Sequence, residues 1–202
     1  KSAIKVELDH VYYRQNEEEI TKKSDSWMSG FLKSFVMITL GTGIGSGIIL
    51  DGKLIKGINY AASELGHTVI KLGGEQCTCG RKGCFEAYAS ATALIRDTRR
   101  LLLKRSNAVE SMHNNVGNML ERSEIWKLCD GDVGKIEAKH VFDAVKHEDE
   151  LAKELFWNYT EYLAEGIANI INILQPELVC IGGGVSKAGD MLLAPVKEKV
   201  QL

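Results

Sequence analysis

No stretch of this chain approaches the ~18 to 20 consecutive apolar residues that a membrane span needs. Its first residues lack the apolar core of a signal peptide. Neither sign of charge is in excess: 25 Lys and Arg stand against 27 Asp and Glu, a net charge of −2. Without a Lys/Arg stripe, binding to a phosphate backbone is disfavoured. The basic group Arg99, Arg100, Lys104 and Arg105 falls on a predicted helix and reads as a solvated face. These shortages lead to the expectation of a cytoplasmic protein with neither nucleic acid nor membrane among its partners.

What is present suffices for a core. The 202 residues are 45% hydrophobic and 26% charged, enough for one large domain, or one and a fraction, that folds without disulfides. Five Cys is an odd number, and three of them lie between Cys77 and Cys84. In a cytosolic setting that clustering points to metal. Cys129 and Cys180 stand apart and read as ordinary packing residues.

The densest chemistry runs from Glu64 to Glu86, with one His, three Cys and three Glu in 23 residues. His67, Cys77, Cys79 and Cys84 form a Cys₃His set suited to structural Zn²⁺ in a tetrahedron. The glycines of C-x-C-G-x-x-G-C let the chain double back so that the third thiol can join the first two. Glu64 and Glu86 bracket the set and are expected, with His67, to face a polar small molecule. Glu86 also falls in the first turn of a predicted helix, where a carboxylate is favoured by a few tenths of a kcal/mol. That role can coexist with ligand binding.

Upstream, Ser34–Leu40 has the composition of a buried strand. Gly41–Gly47, G-T-G-I-G-S-G, then leads into Gly47–Leu50, a turn at Asp51–Gly52 and a third strand over Lys53–Gly57. A Rossmann or Walker A loop would pass from strand to helix, and the latter needs a Lys. Here the exit is a strand and no Lys follows. An anion cup of bare N–H groups beside Thr42 and a plain glycine-rich hairpin both remain open. His67–Leu72 reads as a strand. Helices are predicted over Cys84–Arg105, 107–128, 139–147 and Asp149–Leu174, the last with Gly166 placed for close packing. Leu178–Ile181 is a short buried strand, followed by the turn Gly182–Ser186 and a helix from about Asp190. Residues 1–33 stay unassigned: Ile4–Leu8 alternates like a short strand, and Glu17–Lys23 is compatible with a helix.

Gly66–Gly74, G-H-x-x-I-x-x-x-G, followed by C-x-C-G-x-x-G-C-x-E from Cys77 to Glu86, resembles the paired signature of ROK proteins, named for repressors, open reading frames and sugar kinases. L-G-T-G-I-G-S-G is similar to that family's phosphate loop, and I-G-G-G-V-S to its nucleotide-side glycine turn. E-A-Y-A-S-A-T-A-L from Glu86 is similar to bacterial glucokinases of the family. The resemblance covers residues 34–202. It implies an α/β, actin-like (ribonuclease-H-like) fold, with this chain forming mainly the large C-terminal lobe with its zinc loop. It implies that 34–202 is a sugar- and nucleotide-binding domain using ATP with Mg²⁺ to phosphorylate a hexose, glucose to glucose 6-phosphate first among them. Glu64, His67 and Glu86 would hydrogen-bond sugar hydroxyls. Gly41, Thr42, Gly43 and Gly45 would face the phosphates, with Gly183 and Gly184 against the nucleoside. His67, Cys77, Cys79 and Cys84 would hold the zinc. A homo-oligomer, dimer or tetramer, is implied as well.

Two family motifs have no counterpart here. One is the N-terminal D-x-G-G-T; the other is the Asn-Asp pair whose Asp is the catalytic base. Arg14-Gln15-Asn16 falls near the pair by spacing and does not match it. Asp9 and Asp25 have nothing to promote them, so the base is left unassigned. The family's strand and helix beyond the glycine turn are missing too. The expectation is a shortened or rearranged form with little catalysis of its own. An N-acetylmannosamine or N-acetylglucosamine kinase, or the sugar-sensing domain of a ROK repressor, are alternatives. A zinc knuckle without a small ligand would leave both glycine turns unexplained.

Overall fold

The computed structural model describes residues 5–8, 33–111 and 123–200, with the backbone alone for 5–8 and 106–111. Strands β1 (Lys5–Leu8), β2 (Phe35–Leu40), β3 (Ile44–Leu50), β4 (Lys53–Leu54) and β5 (Leu178–Gly182) form one sheet. Their order is β1-β5-β2-β3-β4. β2, β3 and β4 make an antiparallel meander, while β5 runs parallel to β2 on one side and to β1 on the other. Parallel strands need a long crossover. Residues 55–177 supply it between β2 and β5 and carry the helices α1 (Glu86–Ala89), α2 (Ala91–Ser111), α3 (Glu124–Leu128), α4 (Ala138–Lys146) and α5 (Glu150–Leu174). Helix α6 (Asp190–Val200) follows β5.

Strand alternation sets the core. Val36, Ile38 and Leu40 of β2 are wholly buried, as are Val179 and Ile181 of β5. They pack with Leu163 and Ile167 of α5 and Leu192 of α6 in one apolar cluster. Full burial of such a side chain contributes roughly 1.5–3 kcal/mol. Helix α5 has a defined start and stop: the Asp149 carboxylate accepts the Ala152 N–H at 3.0 Å, and Gln175 takes a left-handed φ of 45° ahead of Pro176. The β3–β4 hairpin closes on Asp51 and Gly52, with φ of 50° and 75°, as a two-residue Asp-Gly turn requires. Among the described residues no helix is long and apolar enough to cross a membrane.

Four local expectations change. The third strand shrinks to Lys53–Leu54. The helix expected over Cys84–Arg105 breaks at Ser90, which is extended (φ −90°, ψ 165°); its hydroxyl accepts the Ala93 N–H at 3.1 Å and so caps a new helix. His67–Leu72 is not a strand: only an isolated bridge joins Val69 to Cys84, and Leu72 is 97% exposed. The Gly83 carbonyl accepts the N–H groups of both Ile70 and Lys71, a turn too tight for a ladder. The helix expected over 107–128 becomes the end of α2 and then α3; residues 112–122, with His113, lie outside the described residues, as does 17–23.

Gly166 is where the long helix meets the Cys-loop side of the molecule. A Cβ there would lie 2.2 Å from Cε2 of Phe85, whose side chain is wholly buried. Alanine at an ordinary helical glycine stabilises by about 1 kcal/mol; overpacking a tight core costs about 1–3 kcal/mol. With three ring atoms inside 2.6 Å, the clash wins. Gly166→Ala therefore lowers the unfolding free energy by up to about 2 kcal/mol in urea titration, and a stabilised variant would contradict this packing.

Candidate functional site

The 64–86 region hangs from β3. Leu65 donates its N–H to the Ser46 hydroxyl at 3.1 Å, and Ser46 in turn donates to the Ser63 carbonyl. Gly66 lies so close that a Cβ would sit 2.4 Å from the Ile44 carbonyl oxygen. A 3₁₀ turn over Leu65–His67 then presents His67, with Glu64 at its N-cap. At the far end of the loop Phe85 donates its N–H to the Thr68 carbonyl at 2.8 Å, and α1 begins with Glu86. Both ends of the Cys loop thus open on the same face.

The four candidate ligands converge. One donor atom each from His67, Cys77, Cys79 and Cys84 lies within 4.8 Å of all the others. His67 Nδ1 is 3.5 Å from Cys77 Sγ, and Cys79 Sγ is 3.6 Å from Cys84 Sγ. A tetrahedral Zn²⁺ with its usual bond lengths puts sulfurs about 3.8 Å apart and sulfur and nitrogen about 3.6 Å apart. The residues therefore fit the ion, and soft thiolates suit it better than Mg²⁺ or Ca²⁺. Burial, then the neighbouring thiols of Cys79 and Cys77, push the Cys84 thiol up to about 12. Cys79 is drawn the other way, chiefly by the Arg81 N–H.

Glu86 links this cluster to a cleft of about 460 Å³. One carboxylate oxygen accepts from the Cys77 thiol at 3.2 Å and the Thr78 hydroxyl at 3.1 Å, and lies 3.6 Å from His67 Nδ1. The other accepts the Ile44 N–H at 3.3 Å. Burial pushes Glu86 up, yet these donors and His67 outweigh it and hold the carboxyl below its usual range. The cleft is lined by Glu64, His67 and Glu86, with Gly41, Gly43, Gly45, Gly183 and Gly184. All but one of the residues singled out for sugar and phosphate therefore share one cavity. The exception is Thr42, which faces a second cleft of about 480 Å³. That cleft has apolar walls from Ile95 of α2, Phe142 of α4 and Val185, with Lys139, Lys146 and Lys187 among its polar groups. Gly41 and Gly184 line both clefts, so the two meet along these glycines. The approach is close: Gly183 has φ +89°, and a Cβ on it would lie 2.4 Å from the Leu40 carbonyl oxygen.

Sequence reasoning missed two things. Thr39 lines the first cleft. Across the sheet it pairs with Gly45 and Gly182, so among the described residues it bears the only side chain in that row. Alternation against buried Val36, Ile38 and Leu40 could have flagged it. The walls of the second cleft come from α2, α4 and the turn after β5, and no local pattern unites them. Residues 9–32, with Asp9, Arg14, Asn16 and Asp25, lie outside the described residues.

The mixed sheet has the actin-like α/β fold, with a carboxylate-and-imidazole cleft joined to an apolar-walled one across glycine turns. The sequence profile of the ROK family matches residues 22–202, and the chain belongs to that family. It is 39% identical over 165 residues to the glucokinase of Thermotoga maritima, covering 82% of this chain and 47% of that protein. It is 28% identical over 202 residues to the xylose repressor of Caldicellulosiruptor bescii, covering 99% of this chain and 46% of that protein. A ROK family glucokinase from Streptomyces griseus, solved with glucose and AMPPNP, superposes with a TM-score of 0.71 at 33% identity, over 85% of this chain and 51% of that one. The chain thus spans about half the length of the relatives it matches.

Given one four-ligand set among the described residues, elemental analysis of the purified protein should find about one zinc per chain. Protein that carries no zinc as purified and takes up none when it is supplied would contradict the site.

Proposed function

We propose that this chain forms the sugar- and nucleotide-binding part of an ATP-dependent hexose kinase, with glucose as the favoured substrate and glucose 6-phosphate as the product. One observation supports the reading above others: a polar cleft bearing two carboxylates and an imidazole meets an apolar-walled cleft at a seam of glycines. Glu64 and Glu86 accept hydrogen bonds from sugar hydroxyls, and a site built that way rejects an analogue lacking one. His67 holds zinc through Nδ1 and leaves Nε2 for the sugar. Bound zinc supplies rigidity: with four protein ligands it keeps no open position for chemistry.

The nucleoside lies in the second cleft against Ile95, Phe142 and Val185. Its phosphates cross the seam at Gly41–Gly43 and Gly184, where the backbone carries no side chain. Phosphoryl transfer demands alignment and charge neutralisation more than covalent help. Mg²⁺ arrives chiefly on the phosphates themselves. No described residue is assigned as the base for the attacking hydroxyl. A reducing, cytoplasmic setting suits the clustered thiols, and a homo-oligomer, dimer or tetramer, belongs to the same proposal.

The repressor alignment over the whole chain supports a second reading, the sugar-sensing domain of a regulator. The two part on one assay. The gene's full-length product, given ATP and a panel of hexoses that includes N-acetylmannosamine and N-acetylglucosamine, should phosphorylate glucose fastest. Sugar binding without phosphate transfer would favour the regulator, and neither would end both readings. Glu64→Ala should weaken glucose binding by about tenfold or more, the loss expected when a charged acceptor is removed, and leave zinc content unchanged. Unaltered glucose affinity would remove Glu64 from the site.

A further inference from the structure

Outside both clefts, an aromatic pair ties the Cys loop to the longest helix. Tyr88 of α1 and Tyr162 of α5 pack ring against ring, centroids 4.5 Å apart and planes at 37°. Lys71, at the start of the loop, places its ammonium 5.6 and 5.4 Å from the two centroids and donates to the Tyr162 hydroxyl at 2.9 Å. The Tyr88 hydroxyl accepts the Glu75 N–H at 2.6 Å, an approach open because residue 74 is glycine: a Cβ there would lie 1.8 Å from that oxygen.

Glu75 carries the contact into the metal ligands. Its carbonyl accepts the Gly83 N–H at 2.8 Å, which joins the segments just before Cys77 and just before Cys84. Its carboxylate pairs with Arg100 at 2.6 Å and Arg96 at 3.8 Å on α2. Arg100, more than half exposed, thus also tethers the loop to α2. The loop has little core of its own: Cys77, Cys84, Ala87 and Tyr88 form a small cluster apart from the main one, with Ile70 and Tyr162 packed against it. Tyr162 is the α5 member of that cluster.

We propose that Tyr162, with Lys71, is a positioning residue: it fixes the Cys loop on α5, and through the loop it sets the four-ligand cluster and the imidazole of His67 at the cleft. Tyr162 touches neither metal nor sugar, so its effect reaches them through Lys71, Tyr88 and Glu75. The proposal rests on reading the cluster as a zinc centre and the cleft as a hexose site.

Its test compares Tyr162→Ala, Tyr162→Phe and a control on the exposed face of α5, Glu165→Ala, each as the full chain loaded with zinc. Zinc transfer to a chromophoric chelator and glucose binding by calorimetry are measured, with an ATP analogue as reference ligand. Removing the ring should speed zinc loss about tenfold and weaken glucose about tenfold, while the ATP analogue stays within about twofold. Tyr162→Phe keeps the ring stack and should stay within about threefold of wild type in both. If Tyr162→Ala fails to fold, Lys71→Met leaves both rings in place and should still speed zinc loss by about threefold. Zinc leaving Tyr162→Ala (or Lys71→Met) no faster than the control overturns the proposal. So does equal weakening of glucose and nucleotide, the mark of a merely structural residue. Wild-type protein that binds zinc but no glucose would instead overturn the hexose reading and leave the role of Tyr162 at the metal to the chelator result. Wild-type protein that binds glucose but no zinc leaves the glucose comparison to decide.

Discussion

Three thiols and an imidazole held within 4.8 Å of one another are the constraint on which the rest of this site depends. As protons-on thiols they attract each other weakly, and burial resists ionising Cys84. A divalent cation would reverse that balance, because thiolate ligation releases the protons and returns binding free energy as folding free energy. It would close the sequence from 67 to 84 into one ring of chain and hold the two residues just beyond its ends, Glu64 and Glu86, at one wall. Glu86 touches both sides of the arrangement, accepting from Cys77 of the cluster and from the Ile44 N–H of β3.

The sheet supplies the opposite wall. β2 and β5 run parallel and end together at Leu40 and Gly182, so the glycine turns that follow both strands lie side by side. Ligands of open α/β sheets gather beyond the carboxyl ends of their strands, and both clefts lie there. The break at Ser90 has its own consequence. It frees the Ala91 N–H to meet the Gly41 carbonyl at 2.9 Å, joining the first glycine of the loop to the start of α2.

Much of this was legible in the sequence wherever a local pattern carried the physics. Val36, Ile38 and Leu40 alternate, the stripe of α5 has helical period, Asp51-Gly52 asks for a tight turn, and C-x-C-G-x-x-G-C announces a knuckle. Legibility failed where distant partners decide. Ser90 falls inside the helix predicted over Cys84–Arg105, yet its hydroxyl caps α2. His67–Leu72 had strand composition, but Gly83 turns the chain back too soon. Arg99 and Arg100 looked like solvated charge, yet Arg99 donates to the Val133 and Gly134 carbonyls and Arg100 holds Glu75. Thr42 lines the second cleft with Gly41, while Gly43 and Gly45 line the first. The walls of that cleft are drawn from three separate segments, around Ile95, Phe142 and Val185, which no spacing rule connects.

The central claim is that the metal cluster acts through position: it sets His67 and Glu86 for a sugar without taking part in chemistry. Calorimetric titration of glucose into zinc-loaded, zinc-stripped and zinc-restored protein tests it most directly. The account predicts a loss of affinity of about tenfold or more on stripping, recovered when zinc returns, with the fold retained by circular dichroism. Equal glucose affinity with and without the metal would contradict it.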